Sequence, residues 1–273
     1  MGELRTAGGR RIFYDAAGEG PALLLVAGRG AARRFWEQQV PAFAPRFRVI
    51  TFDNRDAGPN DPERAGYTMA DLADDAAALL DGLGVARAHV IGISMGGMIA
   101  LQLALGHPAA VDRLVLVATT AGGWSARQQE FFRLPPEPWI ADPVERSRAA
   151  TPEMVGPSFF AGPEGEARLR EIAERARGSR LTKDGYVRQN IAIGTHDVRD
   201  RLAAIAAPTL VIHGDVDPLV PAREGRALAA GIPGARLIMM PEVGHLPPVE
   251  RPDEFNRAVL DFLAAAPAAA ADG

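Results

Sequence analysis

The chain has 273 residues, 47% of them apolar and 23% charged, enough for one large α/β domain carrying an insertion, or for two domains. A formal net charge of -4 leaves no basic excess to neutralise phosphates, so nucleic acid is not an expected partner. The absence of cysteine excludes disulfides, thiolate metal sites and a cysteine nucleophile, and it leaves the redox compartment undetermined.

The N-terminal residues lack the apolar core of a secretory leader, and nowhere do about 18 apolar residues run uninterrupted. The expectation is a cytoplasmic protein that does not engage a membrane. Met1-Gly2 followed by Thr6 fits the short N-myristoylation pattern, but Leu4 to Tyr14 reads as a first hairpin. Within it Arg10 to Asp15 is a predicted strand, followed by the continuous apolar run Ala22 to Ala27, the pattern of a strand buried on both faces. Ala32 to Phe43 reads as a helix and Phe47 to Phe52 as the next strand. Met69 to Leu83 places Leu72, Ala76, Leu79, Leu80 and Leu83 on one helical face, with Thr68 as N-cap and Asp71 three residues on. A strand at Ala88 to Ile91, a helix at Met98 to Leu105 and a strand at Arg113 to Ala118 complete the first half of a mostly parallel, doubly wound α/β sheet.

From about Gly122 to Thr195 seven prolines and scattered aromatics break the rhythm, and Glu166 to Arg177 is an amphipathic helix with Leu169, Ile172, Ala173 and Ala176 on its apolar stripe. The pattern then resumes with a strand at Thr209 to Ile212, a helix near Ala222 to Ala230, a strand at Arg236 to Met240 and a helix from Pro252 to Leu263. The expected organisation is a core of residues 1–121 and 196–263, a helical cap of residues 122–195, and an alanine-rich, frayed tail of residues 264–273.

The stretch Gly92-Ile93-Ser94-Met95-Gly96 lies between a predicted strand and a buried helix, the context of a nucleophile elbow. A serine hydroxyl needs a base to take its proton, and that base needs a carboxylate to hold its tautomer. Of five histidines, His245 follows a predicted strand in a loop before the last helix, where catalytic groups gather. His89, His107 and His196 read as structural, and His213 as a neighbour of the acid loop. Asp215 and Asp217, both at the end of a strand, are each candidates for the acid.

Together these motifs resemble the α/β-hydrolase superfamily, in which serine, acid and histidine occur in this chain order. The resemblance aligns His213-Gly214-Asp215-Val216-Asp217-Pro218-Leu219-Val220-Pro221 with the motif H-G-x-x-D-x-x-V-P and selects Asp217. It implies an oxyanion hole made by the amide of Met95 and, from Ala27-Gly28-Arg29-Gly30, the amide of Arg29. Ala27 stands where relatives carry histidine, and Asp56 and Asn60 replace the glycine and serine of D-x-R-G-x-G-x-S. The likeness covers essentially the whole chain and is nearest to the esterase, enol-lactonase and polyketide methyl esterase group. A serine rather than an aspartate at position 94 disfavours dehalogenase or epoxide hydrolase chemistry.

The resemblance implies a serine hydrolase without cofactor or metal, acting on a small ester or lactone. Trp124, Phe131, Phe132, Trp139, Met154, Phe159 and Phe160 are candidates for an apolar substrate pocket, or for packing the cap onto the sheet. Carbon-carbon cleavage, peroxide-dependent acyl chemistry or a non-hydrolytic rearrangement by the same triad, and a ligand-sensing role, are the rival expectations.

Overall fold

Eight strands form one sheet in the order β1-β2-β4-β3-β5-β6-β7-β8. They are β1 (Gly2–Arg5), β2 (Arg11–Ala17), β3 (Ala22–Val26), β4 (Arg48–Phe52), β5 (Ala88–Ile93), β6 (Val111–Val117), β7 (Thr209–Gly214) and β8 (Arg236–Met240). The computed structural model describes residues 1–6, 8–60, 63–123, 137–161 and 164–264. The first hairpin forms as expected, with Leu4 opposite Ile12, and β2 also pairs antiparallel with β4. All remaining pairs are parallel. Every residue of β5 and β7 is buried, which explains why these strands read as unbroken apolar runs rather than alternations.

After β3 the chain pairs β4 on one side and then returns to place β5 on the other. Open α/β sheets bind ligands at such a reversal, which here falls at the carboxyl ends of β3 and β5. Helices cover both faces. On one, α2 (Met69–Gly82) and α3 (Met95–Gly106) bury Leu72, Leu79, Met98 and Ile99. The predicted capping box forms, with Thr68 and Asp71 exchanging side-chain to backbone hydrogen bonds. The other face is covered by Trp36, Phe43, Phe255, Val259 and Phe262, the last three from the C-terminal helix Pro252–Ala264.

The expected helix from Ala32 to Phe43 is instead a 3-10 turn, Arg33–Gln38, followed by the single turn α1 (Val40–Phe43). Pro41 has no amide to donate to residue 37, so a continuous α-helix would lose a bond there. The i to i+3 bond from the Gln39 amide to Trp36 O, 2.9 Å, takes its place while Trp36 and Phe43 still reach the core.

Between β6 and β7 lie α4 (Pro143–Ala150), α5 (Gly165–Arg175) and α6 (Lys183–Gly194). Pro143, Pro152 and Pro157, which interrupt the sequence pattern, open helical turns, where a missing amide costs nothing. In α5, Leu169 and Ala173 are buried as the stripe predicts. The helices that follow are α7 (Ala222–Gly231), the single turn α8 (Pro247–Glu250) and α9 (Pro252–Ala264). The rest of the alanine-rich tail lies outside the described residues, among which no helix is long and apolar enough to cross a membrane.

The chain re-enters the core at His196, beside the bridge between Gly122 and Asp197. Both ring nitrogens of His196 are buried and, among the described residues, have no hydrogen-bond partner, and burial lowers its pKa to about 4. A base depressed in the folded state protonates first in the unfolded chain. Stability is therefore lost as pH falls from about 6.5 to about 4, by about 3 kcal/mol. His196→Phe is expected to flatten that part of the stability curve in urea titrations across pH; an unchanged slope would assign the loss to another group.

Candidate active site

β5 ends at Ile93, α3 begins at Met95, and Ser94 between them has φ 54° and ψ -121°. That conformation costs a residue with a Cβ roughly 1–3 kcal/mol and persists only where the surroundings enforce it. Here the Ser94 amide donates to Val117 O of β6 at 2.9 Å, and Ser94 O accepts from Thr119 Oγ1 at 2.7 Å. The flanking glycines are required by close approach. A Cβ on Gly92 would lie 2.2 Å from Gly96 O, and one on Gly96 would lie 2.2 Å from Val26 O. The turn therefore stays tight and carries Ser94 to the carboxyl edge of the sheet.

Asp217 follows β7 and His245 follows β8 on the same edge. Asp217 Oδ1 accepts from the amides of Leu219 and Val220 at 2.8 and 2.9 Å. Its Oδ2 lies 2.8 Å from His245 Nδ1 and 3.4 Å from His213 Nε2, which donates to Val220 O at 2.8 Å. Burial alone would raise the Asp217 pKa, but the bonds from His213 and His245, the charge of His245 and the Val220 amide bring it down to about 2. An ionised carboxylate only accepts, so Nδ1 of His245 carries the proton and Nε2 is left with a lone pair able to accept one. Asp215 is exposed and accepts from the Glu242 amide at 2.7 Å. Among the described residues no hydrogen bond joins Ser94 to His245.

The His245 loop rests on a residue that the sequence reading left without a role. The buried Glu250 carboxylate accepts from the amides of Gly156, Gly244 and Leu246 at 2.7, 2.9 and 3.0 Å, so it holds both neighbours of His245.

The loop after β3 lies against the elbow, with a Cβ on Gly28 meeting Ser94 Cβ at 3.4 Å. Among the described residues the amides of Met95 and Arg29 donate to no protein acceptor, the state an oxyanion hole requires. Three consecutive residues of α6 secure this region. Gln189, fully buried, accepts from Gly30 N at 2.8 Å and donates to Arg55 O at 2.9 Å. Asn190 accepts from Arg29 Nη1 at 2.8 Å. Arg188 forms two bonds with Asp56, at 2.9 and 2.8 Å, and Tyr67 donates to the same carboxylate at 2.9 Å.

Asp56 is the residue that replaces glycine in the family motif, and it keeps glycine's left-handed backbone, φ 60°. Its side chain is 1% exposed, that of Arg188 17%. Asp56→Ala is expected to cost about 2–4 kcal/mol by stranding Arg188, the lower part of the buried-pair range because Arg188 keeps some water. Asp56→Gly should cost about 1 kcal/mol less by relieving the backbone. Urea denaturation checks both, and equal losses would mean that the backbone is unstrained.

Of the expected pocket residues, Trp124, Phe131 and Phe132 lie outside the described residues. Trp139 packs edge-on against Tyr186 at 5.6 Å. Phe159 is buried in the core cluster on the α9 face, Met154 packs against that cluster, and Phe160 is 37% exposed. A cavity of about 400 Å³ is lined by Arg10, Asp53, Arg55, Glu63 and Asp75 among others, and by none of Ser94, Asp217 or His245. Its charged walls already pair with one another, Arg10 with Glu63 and Arg55 with Asp75. No cluster of metal-ligating side chains occurs among the described residues.

Residues 21–252 match the family model described as the alpha/beta hydrolase fold. RutD of Serratia proteamaculans, provisionally named a carbamate hydrolase, is 34% identical over 263 residues, covering 92% of this chain and 96% of that one. BpoC of Mycobacterium tuberculosis, provisionally named a non-heme bromoperoxidase, is 35% identical over 274 residues, covering 93% and 97%. The crystal structure of the enol-lactonase from Burkholderia xenovorans LB400 superposes with a TM-score of 0.84 at 28% identity, over 97% of this chain and 100% of that one. A sheet of this order, a serine held at a strained strand-to-helix turn and a match over most of the sequence lead to one conclusion: the chain belongs to the α/β-hydrolase family.

Proposed function

We propose that the protein is a serine hydrolase that cleaves a carboxylic ester or lactone through an acyl-enzyme. The observation that carries this reading is the buried pair of Asp217 and His245, 2.8 Å apart, on the sheet edge where the elbow presents Ser94. Ser94 Oγ attacks the carbonyl carbon while His245 Nε2 takes its proton, and the amides of Met95 and Arg29 hold the oxyanion. Collapse of the tetrahedral intermediate expels the alkoxide, which takes the proton back from His245. Water, deprotonated by the same imidazole, then releases the acid. The hydroxyl to imidazole bond forms when substrate arrives, since such bonds are commonly long or misaligned in unliganded sites. The helices α4, α5 and α6 act as the cap over this edge, and no metal or cofactor takes part.

The similarity to BpoC favours a second use of the same intermediate, with hydrogen peroxide in place of water giving a peracid. Incubation with a fluorophosphonate followed by peptide mass analysis tests the shared step: a single adduct on Ser94 is expected, and no adduct there would refute the acyl-enzyme. The fate of the acyl group, acid or peracid, separates the two uses.

A further inference from the structure

We propose that the Arg29 guanidinium is a subsite for a carboxylate, so that the ester or lactone hydrolysed here carries a second, anionic group one arginine side chain away from the scissile carbonyl. This rests on the mechanism above, because it takes the Arg29 amide as the oxyanion donor.

Arg29 is placed by neutral groups. Its Nη1 donates to Asn190 Oδ1 at 2.8 Å, and its guanidinium carbon lies 4.7 Å from the centre of the Tyr186 ring. Asn190 is 3% exposed, and Tyr186 is itself braced by Trp139. A buried amide and an aromatic face orient a cation without neutralising it. The arginines of the adjoining segments are treated differently: Arg33, Arg55 and Arg188 are matched with Asp53, Asp75 and Asp56. Among the described residues no carboxylate lies within ion-pair distance of Arg29.

Position gives the unmatched charge a use. Arg29 follows Gly28, at which an added Cβ would lie 3.4 Å from Ser94 Cβ, so the Arg29 side chain leaves the backbone one residue from the elbow. A guanidinium has five N–H donors in a rigid fork, and one engaged with Asn190 leaves an edge suited to two carboxylate oxygens. An arginine that merely fastened α6 to the loop would serve equally well with a carboxylate at position 190, and the chain carries the neutral amide there. Electrostatic attraction to the free guanidinium would orient the substrate before the carbonyl reaches the oxyanion amides.

The test compares the monomethyl esters of succinic, glutaric and adipic acids with their dimethyl esters, which differ only in the free carboxylate. Wild-type enzyme should favour the monoester in kcat/KM by roughly 10- to 100-fold at the best chain length, the range of a charge-assisted hydrogen bond, with the difference mainly in KM. In Arg29→Gln the monoester to diester ratio should collapse toward one, and in Arg29→Lys it should be retained in part. A ratio cancels any common loss from a disturbed oxyanion loop. Calorimetric binding of the same esters to Ser94→Ala reads the subsite without turnover. No monoester preference in turnover or binding would overturn the proposal, and so would a preference that survives Arg29→Gln. Selective binding of monoesters to Ser94→Ala, with no Ser94-dependent hydrolysis in the wild type, would retain the anion subsite and reject the hydrolase reading.

Discussion

Ser94→Ala is expected to lower kcat for p-nitrophenyl acetate by about 10⁴- to 10⁶-fold, since the proposed acyl-enzyme forms on the Ser94 hydroxyl. The remaining rate comes from the oxyanion amides and from substrate binding, which the substitution leaves in place. The fold should survive, because the turn is fixed by backbone contacts: the Ser94 amide to Val117, Thr119 to Ser94 O, and the tight passage of Gly96 over β3. The stability of position 94 carries a second outcome. Alanine keeps a Cβ at φ 54°, whereas Ser94→Gly releases that strain and should be more stable than Ser94→Ala by about 1 kcal/mol in urea denaturation. Steady-state turnover in Ser94→Ala near the wild-type rate would dismiss the proposed mechanism. Equal stability of the two variants would dismiss the strain but not the mechanism.

The residues at the heart of the site were legible because each sits where the chain itself changes direction. A strand buried on both faces is an unbroken apolar run, so the ends of β3, β5 and β7 are marked by the glycines and carboxylates that follow them. The elbow is legible for the same reason, since its requirements are met within five residues. Local pattern was less decisive at Ala32 to Phe43, where an apolar face suits a 3-10 turn and an α-helix alike and Pro41 decides between them.

The supports of the site were hidden because their partners are distant in sequence. Gln189 meets Gly30 across 159 positions, Arg188 meets Asp56 across 132, and Glu250 reaches Gly156 across 94. No spacing announces such contacts, and α6 lies in the part of the chain with the weakest periodicity. Asp56 was visible only as a departure from a glycine-bearing motif. The structure supplies its physical reason: a carboxylate at a left-handed position to which Arg188 can fasten α6. A change tolerated by the backbone thus becomes an attachment for the segment that also holds Arg29.

Asp217→Asn is expected to lower kcat by about 10³- to 10⁴-fold while leaving Ser94 and the oxyanion amides in place. The asparagine amide can donate to His245 Nδ1, which would then accept and leave the proton on Nε2, the wrong tautomer for a base. Asp215→Asn is the control, because Asp215 is exposed and its carboxylate accepts from the Glu242 amide rather than from His245; its effect on kcat should stay within roughly a few-fold. Comparable losses in the two variants would undo the assignment of Asp217 as the acid. The same residue leaves a mark on stability. Its pKa is about 2 in the folded protein against 3.8 for the free group, so its contribution of about 2 kcal/mol is complete above pH 4 and lost as pH falls toward 2. His196 acts over the adjoining window, from about 6.5 down to about 4. The acid limb of the stability curve should therefore divide in two, with Asp217→Asn removing the lower part and His196→Phe the upper. A lower part that persists in Asp217→Asn would mean that the carboxylate is not held ionised by His213 and His245, and the tautomer it imposes on His245 would lose its physical basis.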